Sequence, residues 1–147
     1  MTKSKRREQV QPTVVAVINS SPDTVDMLRN ALKPAGMLTV SAMTYDIRDG
    51  KTDLEAFLRQ HRPRVVVYDI APPYEENWEL FEHLSQVEGA KKLPFVLTST
   101  NAAVVRKLVG NNRRIYDIVG KPYDLDLIVE AVKEAAVARS VYGSDDD

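Results

Sequence analysis

Three residues with reactive side chains stand directly after short apolar runs in this sequence. Asp69 follows VVVY, Ser99 follows PFVLT, and Lys121 follows IYDIVG. A carboxylate can attack phosphorus as a nucleophile, an ammonium group offsets the charge that develops on a transferred group, and a hydroxyl can donate to one of its oxygens. Phosphoryl transfer depends mainly on such positioning and charge stabilisation, so these residue types are suited to it.

Short apolar runs alternate along the chain with longer amphipathic segments. The runs predicted to be buried strands are residues 13–18, 37–43, 64–68, 94–98 and 115–119. Helical spacing of apolar residues predicts a helix after each strand, the first beginning at Ser21-Pro22 and the last capped by Asp124. Because the strands alternate with helices and no hairpin signal occurs, we expect a parallel sheet with helices on both faces.

The alternation also predicts where the reactive side chains meet. In an open parallel sheet, the carboxyl ends of the strands share one edge, and ligands bind there near the point where the strand order reverses. Asp69, Ser99 and Lys121 all follow predicted strands, so we expect their side chains to converge at that edge.

Length, composition and charge indicate one domain and exclude several functions. The chain has 147 residues, a net charge of −1 and no cysteine. This charge favours neither nucleic acid nor an anionic membrane as a partner, and no apolar run is long enough to cross a bilayer. The lack of cysteine excludes disulfides, thiolate metal sites and thiol catalysis, and is in keeping with the cytoplasmic location that we expect.

The two ends of the chain are predicted to be tails. Residues 1–11 are basic and residues 139–147 are acidic, and both lack the apolar content needed to pack against a core. We therefore expect residues 1–11 to be disordered and place the folded domain at residues 12–138.

Three segments resemble the receiver domain of bacterial two-component response regulators. In VVVYDIAPP, Asp69 stands at the family's phosphoacceptor position; in LPFVLTST, Ser99 stands at its hydroxyl position; in DIVGKPYD, Lys121 is the family lysine. The resemblance covers about residues 12–138. It implies a flavodoxin-like (βα)5 three-layer α/β sandwich, with a five-stranded parallel sheet in the order 2-1-3-4-5.

The resemblance also implies what the domain does. It is similar to a signalling module rather than an enzyme, with activity limited to self-catalysed phosphoryl transfer to and from Asp69. The implied partners are a sensor histidine kinase or phosphotransfer protein upstream and an effector protein downstream, with neither nucleic acid nor membrane involved. A homodimer is compatible with the family, and the implied docking face lies around the fourth helix, fifth strand and fifth helix. No attached output module is expected.

The expected metal site departs from the family pattern. The acidic pair that usually follows the first strand is replaced by Asn19 and Ser20, so two negative charges are missing. Asp69 and the backbone carbonyl of Ala71 remain as ligands, with Asn19 offering a neutral oxygen. Because Mg²⁺ prefers carboxylate and phosphate oxygens, we expect any Mg²⁺ site to be weak, and no other cofactor is expected.

The expected switch departs from the pattern too. Ser99 is its hydroxyl, but Ile118 holds the position of the family's mobile aromatic residue. Tyr116, two residues earlier and on the same strand face by the period of two, is the nearest substitute. Asn77 stands where the family loop usually has glycine, a change that the backbone tolerates.

Two alternative functions stay open on the sequence. In the first, the chain is a pseudo-receiver in which Asp69 pairs permanently with Lys121 and the surface binds a partner without phosphate control. In the second, it is a flavin-binding module with the same sheet order. That module would need a phosphate-binding loop after the first strand, where INSSPD is short and its proline removes a donor.

Overall fold

The computed structural model describes residues 12–112, 114–120 and 124–143 of the chain. Each strand is followed by one helix or, after β2, by two, and a 3-10 turn lies at Lys33–Ala35. The strands are β1 Thr13–Asn19, β2 Met37–Met43, β3 Val65–Asp69, β4 Phe95–Ser99 and β5 Ile115–Gly120. The helices are α1 Pro22–Leu32, α2 Thr44–Arg48, α3 Leu54–His61, α4 Tyr74–Leu84, α5 Ala102–Val109 and α6 Leu125–Gly143.

The five strands form one parallel sheet in the order β2-β1-β3-β4-β5. The predicted α/β fold, its parallel pairing and its strand order are therefore confirmed. β1 and β3 lie at the centre, and their buried positions are almost all apolar on both faces. This pattern is expected where helices cover a parallel sheet on both sides.

Two apolar clusters lie on opposite faces of the sheet. Ala16 and Ile18 belong to the first cluster, which α3, α4 and α5 cover. Val15 and Val17 belong to the second, which α1 and α6 cover. Alternate residues of β1 therefore anchor helices on both sides, and this holds the strand ends in fixed positions at the sheet edge.

The helix starts follow the predicted capping residues. Ser21 Oγ accepts a hydrogen bond from the Thr24 backbone N–H at 3.2 Å, with Pro22 at the first helical position of α1. Asp124 Oδ1 accepts from the Leu127 N–H at 3.2 Å and so caps α6. The side chains of Ser21 and Asp124 thus satisfy backbone donors that a helix start leaves without intrahelical partners.

Two features of the fold differ from the sequence analysis. Helix α2 was not predicted, because TYDIR is too short to show a helical period; its Thr44 and Ile47 are buried at the end of β2. Helix α6 continues past the predicted domain boundary at residue 138 and ends at Gly143. The predicted basic tail, residues 1–11, and the last part of the acidic tail, residues 144–147, lie outside the described residues.

Candidate functional site

The carboxyl ends of the strands form a polar edge around Asp69. β1 ends at Asn19, β3 at Asp69 and β4 at Ser99. Since β1 and β4 flank β3, the Asp69 side chain lies between the ends of its two neighbours. β5 ends at Gly120, directly before Lys121, and Lys121 itself lies outside the described residues.

The Asp69 carboxylate is half-buried and is held by Thr98. The two residues lie opposite each other in the β3–β4 pairing, and the Thr98 hydroxyl donates to Asp69 Oδ1 with 2.6 Å between the oxygens. Thr98 has no exposed surface, so its side chain has little freedom to leave. The bond lies within the short range typical of hydroxyl donors to carboxylates, and it fixes the orientation of the carboxyl group.

Thr98 is the residue that the sequence analysis missed. It was placed inside the fourth strand and given no role, whereas Ser99 was predicted to be the site hydroxyl. The relevant signal is the register between β3 and β4, which pairs Asp69 with Thr98. That register depends on tertiary packing and cannot be read from either segment alone.

Ser99 is turned into the protein. Its hydroxyl is fully buried, donates to the Ile70 carbonyl at 2.9 Å and accepts from the Asn101 backbone N–H at 3.2 Å. Ser99 therefore ties β4 to the segment that follows Asp69, and the expectation that its hydroxyl meets the carboxylate is corrected: that position belongs to Thr98. A role for Ser99 toward a bound phosphoryl group stays a prediction.

Three of the four residues expected to bind Mg²⁺, namely Asn19, Asp69 and Ala71, have an oxygen that accepts a hydrogen bond within the chain. Asn19 is buried, and its Oδ1 accepts from the Ser21 backbone N–H at 3.0 Å, while Ser20 is exposed. The Ala71 carbonyl accepts from Asn77 Nδ2 at 2.6 Å. Among the residues the structure describes, no group of three or more His, Cys, Asp or Glu side chains could hold a metal. The residues present do not fit a Mg²⁺ site, which needs several available hard oxygens.

Asn77 is itself held by a second side chain. Arg48, the last residue of α2, donates from Nη2 to Asn77 Oδ1 at 2.7 Å. The Asn77 amide thus bridges the Arg48 guanidinium and the Ala71 carbonyl. Asn77 was noted from the sequence, whereas Arg48 was not, because α2 itself was not predicted.

A hydrogen bond also crosses the edge between two loops. The Tyr74 and Thr100 hydroxyl oxygens lie 2.6 Å apart. Tyr74 begins α4, after the loop that follows Asp69, and Thr100 follows β4. This contact joins the start of α4 to the segment that follows β4.

Tyr116 does not share a strand face with Ile118, contrary to prediction. Phe95 lies opposite Ile115 and Val96 lies opposite Asp117, so Tyr116 is an extra residue in β5. An inserted residue shifts the alternation by one. Ile118 packs against the first cluster, whereas the Tyr116 hydroxyl donates to Glu134 of α6, on the other side, at 3.3 Å.

A buried phenol lies next to Asp69 along the chain. Tyr68 is 2% exposed, and no described residue hydrogen-bonds its hydroxyl. Burial raises the pKa of Tyr68, the Arg48 charge opposes that rise and the Asp69 charge adds to it. The Tyr68 phenol therefore stays neutral, and its pKa depends on the charges of both Arg48 and Asp69.

The face around α5, β5 and α6 exposes large apolar side chains. Tyr116 is 41% exposed, Leu127 58% and Val137 65%. This is the face that the resemblance implies for docking, and docking there stays a prediction. No helix within residues 12–112, 114–120 and 124–143 combines the length and apolar character that a bilayer span requires.

Two of the curated proteins similar to this chain are named as regulators. It is 29% identical over 124 residues to the probable transcriptional regulatory protein TcrX of Mycobacterium tuberculosis, covering 84% of this chain and 50% of that protein. It is 26% identical over 120 residues to response regulator Rre1 of Synechocystis, covering 77% of this chain and 52% of that protein. The chain thus spans about half the length of these relatives. No family model matches it.

A solved structure agrees with the fold described above. A response regulator from Thermotoga maritima superposes with a TM-score of 0.65 at 23% identity, covering 86% of this chain and 99% of that one. The superposition extends over nearly the whole of that chain. In its fold the chain is similar to this response regulator, and in its sequence it is similar to proteins named as response or transcriptional regulators.

Proposed function

We propose that Asp69 accepts a phosphoryl group from a phosphohistidine on a sensor kinase or phosphotransfer protein, and that the chain thereby acts as a receiver in two-component signalling. The observation that carries this proposal is the position of Asp69 at the carboxyl end of β3, between β1 and β4, with its carboxylate oriented by buried Thr98. A half-buried, oriented carboxylate at the switch point of a parallel sheet is suited to nucleophilic attack.

The proposed step is a direct displacement at phosphorus. A carboxylate oxygen of Asp69 forms the new P–O bond while the P–N bond to the donor imidazole breaks, and the imidazole nitrogen keeps the electron pair. The product is an aspartyl phosphate, which water hydrolyses to return Asp69 and inorganic phosphate. Lys121, by its resemblance to the family lysine, is the cation that would offset the charge of the transferred group.

The proposed signal is the response of the surrounding loops to that group. A phosphoryl group adds about 1.5 to 2 negative charges and three strong acceptor oxygens. The Tyr74–Thr100 and Ser99–Ile70 hydrogen bonds lie in the segments that follow β3 and β4, and their hydroxyl donors are the ones for which the new acceptor oxygens would compete. In this proposal the chain is a module that binds an effector protein, and not an enzyme with its own substrate.

One set of contacts favours the pseudo-receiver as a second candidate. Asn19, Asp69 and Ala71 each offer an oxygen that already accepts a hydrogen bond from the chain. Because these oxygens already have hydrogen-bond partners, the side chains of the site keep one arrangement without a bound phosphoryl group. Under this alternative the same surface binds its partner constitutively, without phosphate control.

Intact-mass measurement separates the two candidates. The protein is incubated with acetyl phosphate or phosphoramidate and weighed, in parallel with Asp69→Asn and with Asp26→Asn, which removes an exposed carboxylate on α1. We expect one phosphoryl adduct on the wild type and on Asp26→Asn and none on Asp69→Asn. A wild-type protein that stays unmodified by every donor would establish the pseudo-receiver instead.

A further inference from the structure

We propose that the Asn77 side chain, oriented by Arg48, excludes Mg²⁺ from the Asp69 site, so that the site works without a divalent cation. Asn77 would then be a specificity-determining residue that acts through the backbone of Ala71. The inference about metal binding stands on the contacts alone, whereas its consequence for phosphoryl transfer rests on the proposed function.

Arg48 determines which end of the Asn77 amide faces Ala71. A guanidinium has donors and no acceptor, so only the amide oxygen can face Arg48. The amide nitrogen is then directed at the Ala71 carbonyl, and the two contacts are 2.7 Å and 2.6 Å long. Rotating the amide to present its oxygen to a metal would break both bonds and place its NH₂ group against the guanidinium.

The resulting surroundings repel a cation. A metal approaching the Ala71 oxygen meets the N–H of Asn77, which carries partial positive charge, with the Arg48 guanidinium directly behind it. The Arg48 charge also acts on the Tyr68 phenol, the side chain adjacent to Asp69 along the chain, so its field reaches this part of the site.

The remaining oxygens do not compensate for this repulsion. Asn19 provides a neutral oxygen that already accepts from the Ser21 N–H, and Asp69 Oδ1 accepts from Thr98. A Mg²⁺ ion bound here would have to share its ligand oxygens with three hydrogen bonds, those accepted by Asn19, Asp69 and Ala71. Of these three hydrogen bonds, a single surface-accessible substitution can remove the one from Asn77 to Ala71, because Asn77 is half-buried and its partner Arg48 is exposed.

The first test is a Mg²⁺ titration followed by tryptophan fluorescence and calorimetry. Trp78, the only tryptophan in the chain, comes directly after Asn77 and reports on this loop.

The starting variant carries Asn19→Asp and Ser20→Asp, which supply the two missing carboxylates. Adding Asn77→Ala is expected to raise its Mg²⁺ affinity about tenfold, in the range seen when groups that orient metal ligands are changed. Glu76→Ala, an exposed change on the same helix, is the control and is expected to leave the affinity unaltered.

The second test avoids the buried substitution at Asn19. Mn²⁺ is added to the wild type and to the single variant Asn77→Ala, and the broadening of the backbone amide signals of residues 69–71 and 74–77 is compared by NMR. We expect no selective broadening in the wild type and clear broadening in the variant. Equal Mg²⁺ affinity with and without Asn77→Ala, or equal broadening in the wild type and the variant, would overturn the inference.

A third measurement connects the metal to the chemistry. The rate at which the wild type gains a phosphoryl adduct is expected to be the same in Mg²⁺ and in EDTA, and a rate that collapses in EDTA would contradict the inference. The metal titrations do not depend on phosphorylation. A chain that forms no adduct under any condition therefore contradicts the proposed function, while the Mg²⁺ and Mn²⁺ results still decide the role of Asn77.

Discussion

Thr98 donates its hydroxyl to the Asp69 carboxylate across two parallel strands, with 2.6 Å between Thr98 Oγ1 and Asp69 Oδ1. The two residues are in register, and Thr98 is fully buried. The orientation of the carboxylate is therefore set by a neighbouring strand in the core of the sheet rather than by a surface loop. This relationship makes the position of the carboxylate a property of the fold itself.

Thr98→Val should weaken both stability and reactivity at Asp69. Valine has nearly the same shape but no donor, so the change removes a hydrogen bond to a charged group, a loss of about 2 kcal/mol in the free energy of unfolding. We expect a slower gain of the phosphoryl adduct as well, because the carboxylate loses its fixed orientation. Urea unfolding and timed intact-mass measurements check the two effects.

A double-mutant cycle distinguishes the hydrogen bond from a general packing effect. If the contact is responsible, Thr98→Val should cost far less stability in an Asp69→Ala background than in the wild type. Equal costs in the two backgrounds would show that Thr98 contributes only through packing.

Tyr68→Phe should stabilise the protein. The Tyr68 hydroxyl is buried and lacks a hydrogen-bond partner among the described residues, and a buried polar group without a partner costs about 1–3 kcal/mol. Phenylalanine keeps the edge-to-face packing on Phe81, whose ring centroid is 4.9 Å away. We expect the midpoint of urea unfolding to rise with an unchanged slope. A lower midpoint would mean that the hydroxyl is satisfied, for example by an internal water.

The same substitution should change how stability depends on pH. Burial raises the pKa of Tyr68 above its ordinary value, so the folded state holds the phenolic proton more tightly than the unfolded state does. The contribution of this proton to the free energy of unfolding is constant below the pKa of about 10 that tyrosine has in the unfolded chain. It is lost as pH rises above that value. Tyr68→Phe should therefore lose less stability than the wild type between neutral and alkaline pH, and parallel curves would contradict this.

Arg114→Lys should destabilise the protein even though it keeps the charge. Arg114 Nη2 donates to the backbone carbonyls of Ser85 and Ala90, and the guanidinium lies 5.4 Å from the centre of the Phe95 ring. A lysine cannot reproduce a planar group that bonds two carbonyls and stacks on a ring, so we expect a loss of about 2 kcal/mol. Differential scanning calorimetry measures the change.

An exposed arginine serves as the matched control for Arg114. Arg29 pairs with Asp26 on the surface of α1 at 2.9 Å, and surface ion pairs contribute about 0.2–1 kcal/mol. Arg29→Lys should therefore have almost no effect. Similar losses for the two substitutions would show that the carbonyl contacts of Arg114 have no special importance.

The sequence was sufficient to predict the sheet and the location of Asp69, but not the contacts around it. Continuous apolar runs such as 65–68 are strong signals for buried parallel strands, and a polar residue directly after such a run marks the sheet edge. The role of Thr98 depends on the register between two strands, and the Arg48–Asn77 bond joins residues far apart in the chain. Neither has a local signature.

The error at Tyr116 has a similar origin. A strict period of two places Tyr116 and Ile118 on one face, but the extra residue in β5 shifts the alternation. Nothing in the segment IYDIVG distinguishes a bulged strand from a regular one. Bulges are fixed by how a strand pairs with its neighbour, here β4, and so belong to the tertiary structure.

Reductive trapping is the most direct measurement of whether Asp69 is the phosphoacceptor. Borohydride reduces an aspartyl phosphate to homoserine, so the protein is treated with a phosphodonor, reduced, digested and sequenced by mass spectrometry. We predict homoserine at position 69, at a yield that is unchanged when EDTA replaces Mg²⁺. Homoserine at a different aspartate, or none at position 69 after every donor, would contradict the proposed chemistry.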